Sequence, residues 1–156
     1  MPNVKLDATD KKILEILQEN GRITNAQLAN LVGLSPPPML ERVKKLEKSG
    51  VIKKYVAILD PVKVDKSTTV IVSLSLARHR IKSLDQVNKE IMNFPEVLEC
   101  YHIAGEEDYL LKVVVKDVRE YEEFILKKLA QIPAIGKIKS YVVLSALKSD
   151  TKIHVE

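Results

Sequence analysis

The sequence predicts an α+β chain: an N-terminal three-helix, winged helix-turn-helix domain followed by a C-terminal βαββαβ ferredoxin-like domain. Three observations carry this. Apolar residues recur at helical spacing as far as Leu46, then give way to runs rich in Val, Ile and Leu from Thr68 onward. The stretch Asn25–Lys48 reads as helix, tight turn, helix. The segments 68–104 and 108–147 each repeat the order strand, helix, strand, without a residue-level repeat. The turn signal Asp60-Pro61 is the expected linker, giving domains at 1–60 and 61–148. The polar tail 149–156 is expected to be mobile or strapped to a partner.

The first helix is expected over 7–20. Asp7 is a good N-cap, Asp10 stands at N3 near the positive end of the dipole, and Asn20-Gly21 ends the helix. Ile13, Leu14 and Leu17 form its buried face. The second helix, 25–32, opens with a capping box of Thr24 and Gln27 and a staple of Ile23 on Leu28. Leu28, Leu31 and Val32 are its buried stripe, and Gly33 suits a left-handed cap. The third helix, 37–49, is stopped by Ser49-Gly50. With Ser35 as N-cap, its oxygen would seek the N–H of Pro37 or Pro38, which have none. Residues before proline also avoid the α region, so regular helix is expected from near Pro38 with the Ser35 hydroxyl left free. The prolines also remove amides that would hold a phosphate.

At about 100° per residue, Met39, Leu40, Val43 and Leu46 share one side of the third helix; Pro38, Glu41, Arg42, Lys45, Lys48 and Ser49 share the other. Two readings of that second face stand: a solvated basic helix in a bundle, or a recognition helix in the DNA major groove. Charge placement bears on the choice. Residues 1–40 carry four basic and four acidic side chains; residues 41–54 carry six basic and two acidic. The net +4 of the whole chain therefore equals that of this short segment, the footprint of a nucleic-acid binder. Val51–Leu59, with Lys53 and Lys54, is either a small wing or a strand leading away.

In the second domain, strands are expected over Thr68–Ala77, Val97–Ala104, Tyr109–Val115 and Ile138–Leu147. A capping box of Ser83 and Gln86 opens a helix carrying Leu84, Val87, Ile91 and Phe94 and stopped near Pro95. Asp117 and Glu120 open another, with Tyr121, Phe124, Ile125 and Leu129 inward and Pro133 as its end. Gly105–Asp108 is a tight polar connection. The strands offer apolar residues to both faces, Val70, Val72 and Leu74 alternating with Ile71, and Val113 and Val115 with Leu110 and Val114. Such a sheet needs cover on both sides, and self-association of a symmetric dimer supplies it.

Nothing in the sequence assembles a catalytic site, so no enzyme is expected. The five glycines are scattered, with no phosphate loop. His79, His102 and His154 lack metal-ligand spacing, and Cys100 beside His102 finds no third ligand. Glu106, Glu107 and Asp108 form either a polar turn or carboxylates that hold an ammonium group. No cofactor and no metal are expected. The βαββαβ order is shared with RNA-recognition domains, but the third strand offers one aromatic and no RNA-binding signature. No apolar run approaches the roughly 20 residues of a membrane helix, no signal-peptide pattern opens the chain, and a single cysteine fits a reducing cytoplasm.

Several motifs in order then carry a resemblance. Gly21-Arg-Ile-Thr-Asn25, Val32-Gly-Leu-Ser-Pro36, Leu40-Glu-Arg-Val43, Gly50-Val-Ile52, Gly105-x-x-Asp-Tyr-Leu-Leu-Lys112 and Tyr141-Val-Val143 resemble the Lrp/AsnC (leucine-responsive regulator, feast/famine) family, from about Leu6 to Lys148. The resemblance implies a transcription regulator that binds double-stranded DNA. It also implies dimers that assemble into larger rings, commonly octamers, and a small amino-acid-type effector bound between dimers. It places the helix-turn-helix on Asn25–Lys44, with Ser35, Pro37, Pro38, Arg42 and Lys45 facing DNA. Asn25, Lys44 and Lys48 complete the candidate DNA-binding set, the lysines for electrostatic affinity. The implied effector set is His102, Gly105, Glu106, Asp108, Tyr141, Val142 and Val143. Two departures matter: Pro37 stands where relatives often carry Thr, and His102 where an aliphatic residue is common. An architectural, DNA-compacting protein of the same fold is the alternative.

Overall fold

The computed structural model describes residues 4–77 and 84–155. They divide into two units, Met1–Ile58 with Lys148–Glu156, and Leu59–Leu147.

In the first unit, local capping chemistry sets each helix. α1 (Ala8–Glu19) starts on a reciprocal box in which Asp7 accepts from the Asp10 amide and Asp10 accepts from the Asp7 amide. α2 (Asn25–Val32) starts on the Thr24–Gln27 box and ends at Gly33, whose φ of 82° is left-handed and open to glycine at little cost. α3 (Pro36–Lys48) begins two residues earlier than expected. Pro36, Pro37 and Pro38 fill the first three helical positions, whose amides have no intrahelical partner in any helix. The first ladder bond is Met39 N–H to Ser35 O, 3.3 Å, so the prolines cost none.

Leu28 and Ala29 of α2, Ile13 and Leu14 of α1, and Met39, Val43 and Leu46 of α3 form the core. Two expected core residues lie outside it: Leu31 is 57% and Leu40 37% exposed. At about 100° per residue, each stands roughly 90–110° from the centre of its helix's buried stripe. Lys53–Leu59 runs without a backbone hydrogen bond among the described residues, so no wing forms there.

In the second unit, a four-stranded antiparallel sheet has the order β2-β3-β1-β4, with β1 Thr68–Leu76, β2 Val97–His102, β3 Tyr109–Val115 and β4 Ile135–Val142. α4 (Leu84–Met92) and α5 (Val118–Lys127) cover one face. Alternation puts Val70, Val72, Leu74, Tyr109, Leu111, Val113 and Val115 under these helices, with Val87, Ile91, Tyr121 and Phe124 facing them. Asp117 caps α5, and the stretch expected to stay helical up to Pro133 tightens after Lys128 into a short 3₁₀ turn, Leu129–Gln131. Ser83 and His79 lie outside the described residues.

β4 starts three residues before the expected strand and stops five before its end. A register shift at Ser75/Leu76 lets Ile135 pair with Leu76. At the other end Val143 N–H reaches Thr69 O at 2.9 Å, and β1 itself begins at Thr68, so no partner remains for Leu144–Leu147. β2 likewise stops at His102, two residues short. The open face is more polar than expected, since β1 gives it Thr69, Ile71, Ser73 and Ser75, and β3 gives Leu110, Lys112 and Val114. No helix among the described residues is long and apolar enough to cross a membrane.

Candidate DNA-binding and effector surfaces

Burying Met39, Val43 and Leu46 turns the opposite side of α3 outward. Glu41, Lys44, Lys45, Lys48 and Ser49 line a shallow surface groove there. Lys44 lies 3.3 Å from Glu41, an exposed pair worth little. Lys45 and Lys48 have no carboxylate partner among the described residues. The Ser35 hydroxyl makes no capping bond. Asn25 is the first residue of α2, and Pro37 and Pro38 sit in the first turn of α3.

Arg42 is placed differently from the face assigned to it. It stands only about 65° from the centre of the buried stripe, where a long side chain reaches the neighbouring helix. Its Nη1 donates to Asp7 Oδ2 and to Asp10 Oδ1, each at 2.7 Å. The Asp10 side chain is 4% exposed, Asp7 52% and Arg42 33%. The Asp10 amide, and next the Arg42 guanidinium, hold the Asp7 carboxyl below its usual range. Hydrogen bonds to Asp7, then Asp10, raise the Arg42 guanidinium. One cation thus clamps α3 to the capping box of α1.

The second cluster lies at the C-terminal end of β1, where the connection 103–108 between β2 and β3 returns. Asp108 is built into the sheet: its amide donates to Leu74 O at 2.8 Å, its carbonyl accepts from Ile103 N–H at 2.9 Å, and its Oδ2 accepts from Leu76 N–H at 2.7 Å. Glu107 accepts from the Ser75 hydroxyl and pairs with Lys139 Nζ. The Lys139 hydrogen bond, and then Ser75, hold its carboxyl below the usual range. Gly105 has no positive φ, and a Cβ there would meet nothing within 4 Å, so the fold of this chain does not itself require glycine. Glu106 is exposed beside it. The His102 ring stacks at a tilt on Tyr109, centroids 5.1 Å apart, with Tyr109 in turn donating to Asn88 Oδ1 at 2.7 Å.

The implied effector residues do not form one constellation in one chain. Tyr141 stands opposite Ile71, while the loop clasps Ser75 and Leu76. Four residues of strand, roughly 13 Å, separate the two groups along β1. Tyr141 and Val142 are half-exposed, and Val143 anchors the end of the sheet. Ser75 and Lys139 join this cluster without being expected there, whereas Glu107 is expected in the loop, either in a polar turn or as a carboxylate for an ammonium group. The alternation Lys137-Ile138-Lys139 does signal two lysines on one strand face, but their place beside Glu107 depends on the β1–β4 pairing. Ser73, 5% exposed on this same open face between Leu110 and Lys139, leaves its hydroxyl without a partner.

Residues 69–153 match the model of the Lrp/AsnC ligand binding domain, and residues 6–53 match a winged helix-turn-helix DNA-binding model. The leucine-responsive regulatory protein of Haemophilus influenzae is 43% identical over 146 residues, covering 94% of this chain and 88% of that protein. That of Escherichia coli K12 is 37% identical over 155 residues, 99% of this chain and 94% of the relative. Among solved structures, a transcriptional regulator of Neisseria meningitidis in complex with L-Met gives a TM-score of 0.91 at 36% identity, covering 96% of both chains. An AsnC family transcriptional regulator of Agrobacterium tumefaciens gives 0.90 at 42% identity, covering 95% of this chain and 96% of that one.

Proposed function

The chain belongs to the Lrp/AsnC family of DNA-binding transcription regulators, and from that premise we propose that it is a cytoplasmic, sequence-specific regulator whose DNA binding or assembly responds to an amino acid or a related small metabolite. The observation that carries the DNA half is the outward face of α3, where Lys45 and Lys48 stand without carboxylate partners beside Lys44 and the free Ser35 hydroxyl. Cations held away from their own carboxylates are available to phosphates. Ser35, Pro37, Pro38 and Lys45 face the major groove, Asn25 lies at the edge of the contact, and Lys44 and Lys48 add phosphate contacts.

The effector half rests on Gly105. A glycine that its own fold does not need is explained by close approach of another molecule, with Glu106, Asp108 and His102 around it. The distance from this loop to Tyr141–Val143 favours a site completed by a second copy, and the orphaned Ser73 hydroxyl on the open face asks for the same cover. Dimers joined into a higher ring, an octamer by the family's habit, satisfy both. The Neisseria relative is in complex with L-Met and the Haemophilus relative is named leucine-responsive, so methionine and leucine head the candidates for this chain.

The tying-up of Arg42 favours a second reading. With its one arginine occupied, α3 presents mainly lysines, which hold phosphates of any sequence. Competition of a selected duplex against random duplex separates the two: equal affinity for both selects the architectural reading. Light scattering coupled to size exclusion, with each of the twenty amino acids, tests the effector half. A change in assembly or DNA affinity with one or two of them supports it, and indifference to all removes it.

A further inference from the structure

The ligand-binding domain matched in the comparison runs to residue 153, yet Lys148–Glu156 clusters with the helices of the first unit. The path is explicit. After Val143 the sheet offers no further partner, and Leu144 and Leu147 are 97% and 98% exposed. The chain then docks again. Gln18 of α1 uses both ends of its amide on one residue: Nε2 donates to Ile153 O at 2.9 Å, and Ile153 N–H donates to Oε1 at 2.7 Å. That two-bond exchange is what a neighbouring strand would offer, here supplied by a side chain. Lys152 Nζ pairs with Glu19, and Val155 packs on the core cluster that holds Ile13 and Leu14.

We propose that residues 150–155 are a strap, docked on α1 through Gln18, Glu19 and the apolar seat of Val155, by which the sheet unit holds the DNA-binding unit a second time, and that effector control of DNA binding depends on it. The physical ground is tethering. The entering linker, Lys53–Leu59, has no backbone hydrogen bonds among the described residues; Tyr55 is held to α3 by its hydroxyl donating to Glu47 Oε1 at 3.1 Å, but Val56, Ile58 and Leu59 beyond it are exposed, and that stretch constrains little. β1 and β4 are neighbours, and Thr69 at the start of one is bonded to Val143 just beyond the other, so both connections leave the same end of the sheet. A body tied at one end turns freely about its linker; tied at both, it follows the sheet or must release the strap. The control role rests on the effector reading above; the docking does not.

The test uses the full-length chain and the double variant Gln18→Ala/Val155→Ser, with Gln18→Ala alone as a milder probe at an exposed helix position where alanine is well tolerated. Hydrogen exchange of the peptide spanning 150–155 reads the docking. Anisotropy of a duplex selected on the wild-type protein, with and without L-methionine or L-leucine, reads the control. We expect exchange to rise roughly fivefold or more in the double variant, and the amino-acid effect on DNA affinity to fall below half of the wild-type effect. Unchanged exchange overturns the strap. Faster exchange with a full amino-acid response overturns its control role. A wild-type protein indifferent to both amino acids and to the rest of the panel overturns the effector reading and the control role with it, while the exchange result still decides the docking.

Discussion

Arg42→Ala separates a clamp from a base reader. Removing the guanidinium leaves Asp10, whose side chain is 4% exposed, with the Asp7 amide at 3.3 Å as its remaining hydrogen-bond partner. Breaking a fully buried ion pair costs about 3–5 kcal/mol. Arg42 itself is 33% exposed, so water reaches part of the vacated space and the cost is lower. A charge-assisted hydrogen bond lost from a half-buried site supports about 2 kcal/mol. For a unit of this size each kcal/mol moves the melting temperature by roughly 4–8 °C, so a drop of about 10 °C is expected. Arg42→Met, which keeps the apolar stem, should lose nearly as much, because the stem is not what Asp10 needs. The assay is a thermal melt at pH 7 followed by circular dichroism, paired with titration of selected and random duplexes. Melting within about 2 °C of wild type, with loss of preference for the selected duplex, would refute the clamp and make Arg42 a reader of bases. A large melting shift, with the preference retained below the melt, sustains it.

Lys48→Ala should weaken binding to selected and random duplex alike and reduce the salt slope by about 1, read by anisotropy from low to moderate salt. A loss confined to the selected duplex would make Lys48 a base contact. Gly105→Leu should melt like wild type, since the position is open in the chain, yet lose the amino-acid response or the higher assembly seen by light scattering. Asp108→Ala should cost about 1–3 kcal/mol in denaturant titration, because the Leu76 amide loses its acceptor at the end of β1; wild-type stability would limit Asp108 to ligand contact. The Asp7 carboxyl is held below its ordinary 3.8 in the folded chain, so its contribution is complete above that value and is lost as pH falls through the folded one. Asp7→Asn, still a competent cap, should therefore flatten the fall in helical-unit stability below about pH 4; an unchanged acid limb would show that other groups set it.

What the sequence determined by itself was whatever depends on neighbours a few residues apart. The Asp7 cap, the Thr24 box, the Gly33 cap, the Asp117 cap, the period change at Thr68 and the free Ser35 hydroxyl all depend on residues within one or two turns, and they stand in the structure as read. The family motifs extended this to fold and function, because they fix an order of elements rather than a geometry. What only the tertiary structure decided depends on residues far apart in the chain. Leu31 and Leu40 are apolar at helical spacing, but a helix meets its neighbours along one narrow stripe, and packing chose the stripe centre. Arg42 reads as part of a basic face until α1 brings Asp7 and Asp10 beside it. Glu107, Ser75 and Lys139 meet only because β1 pairs with β3 on one side and β4 on the other, a register no local pattern encodes. The tail reads as polar, either mobile or strapped to a partner, and becomes part of the helical unit through the amide of Gln18, 135 residues away.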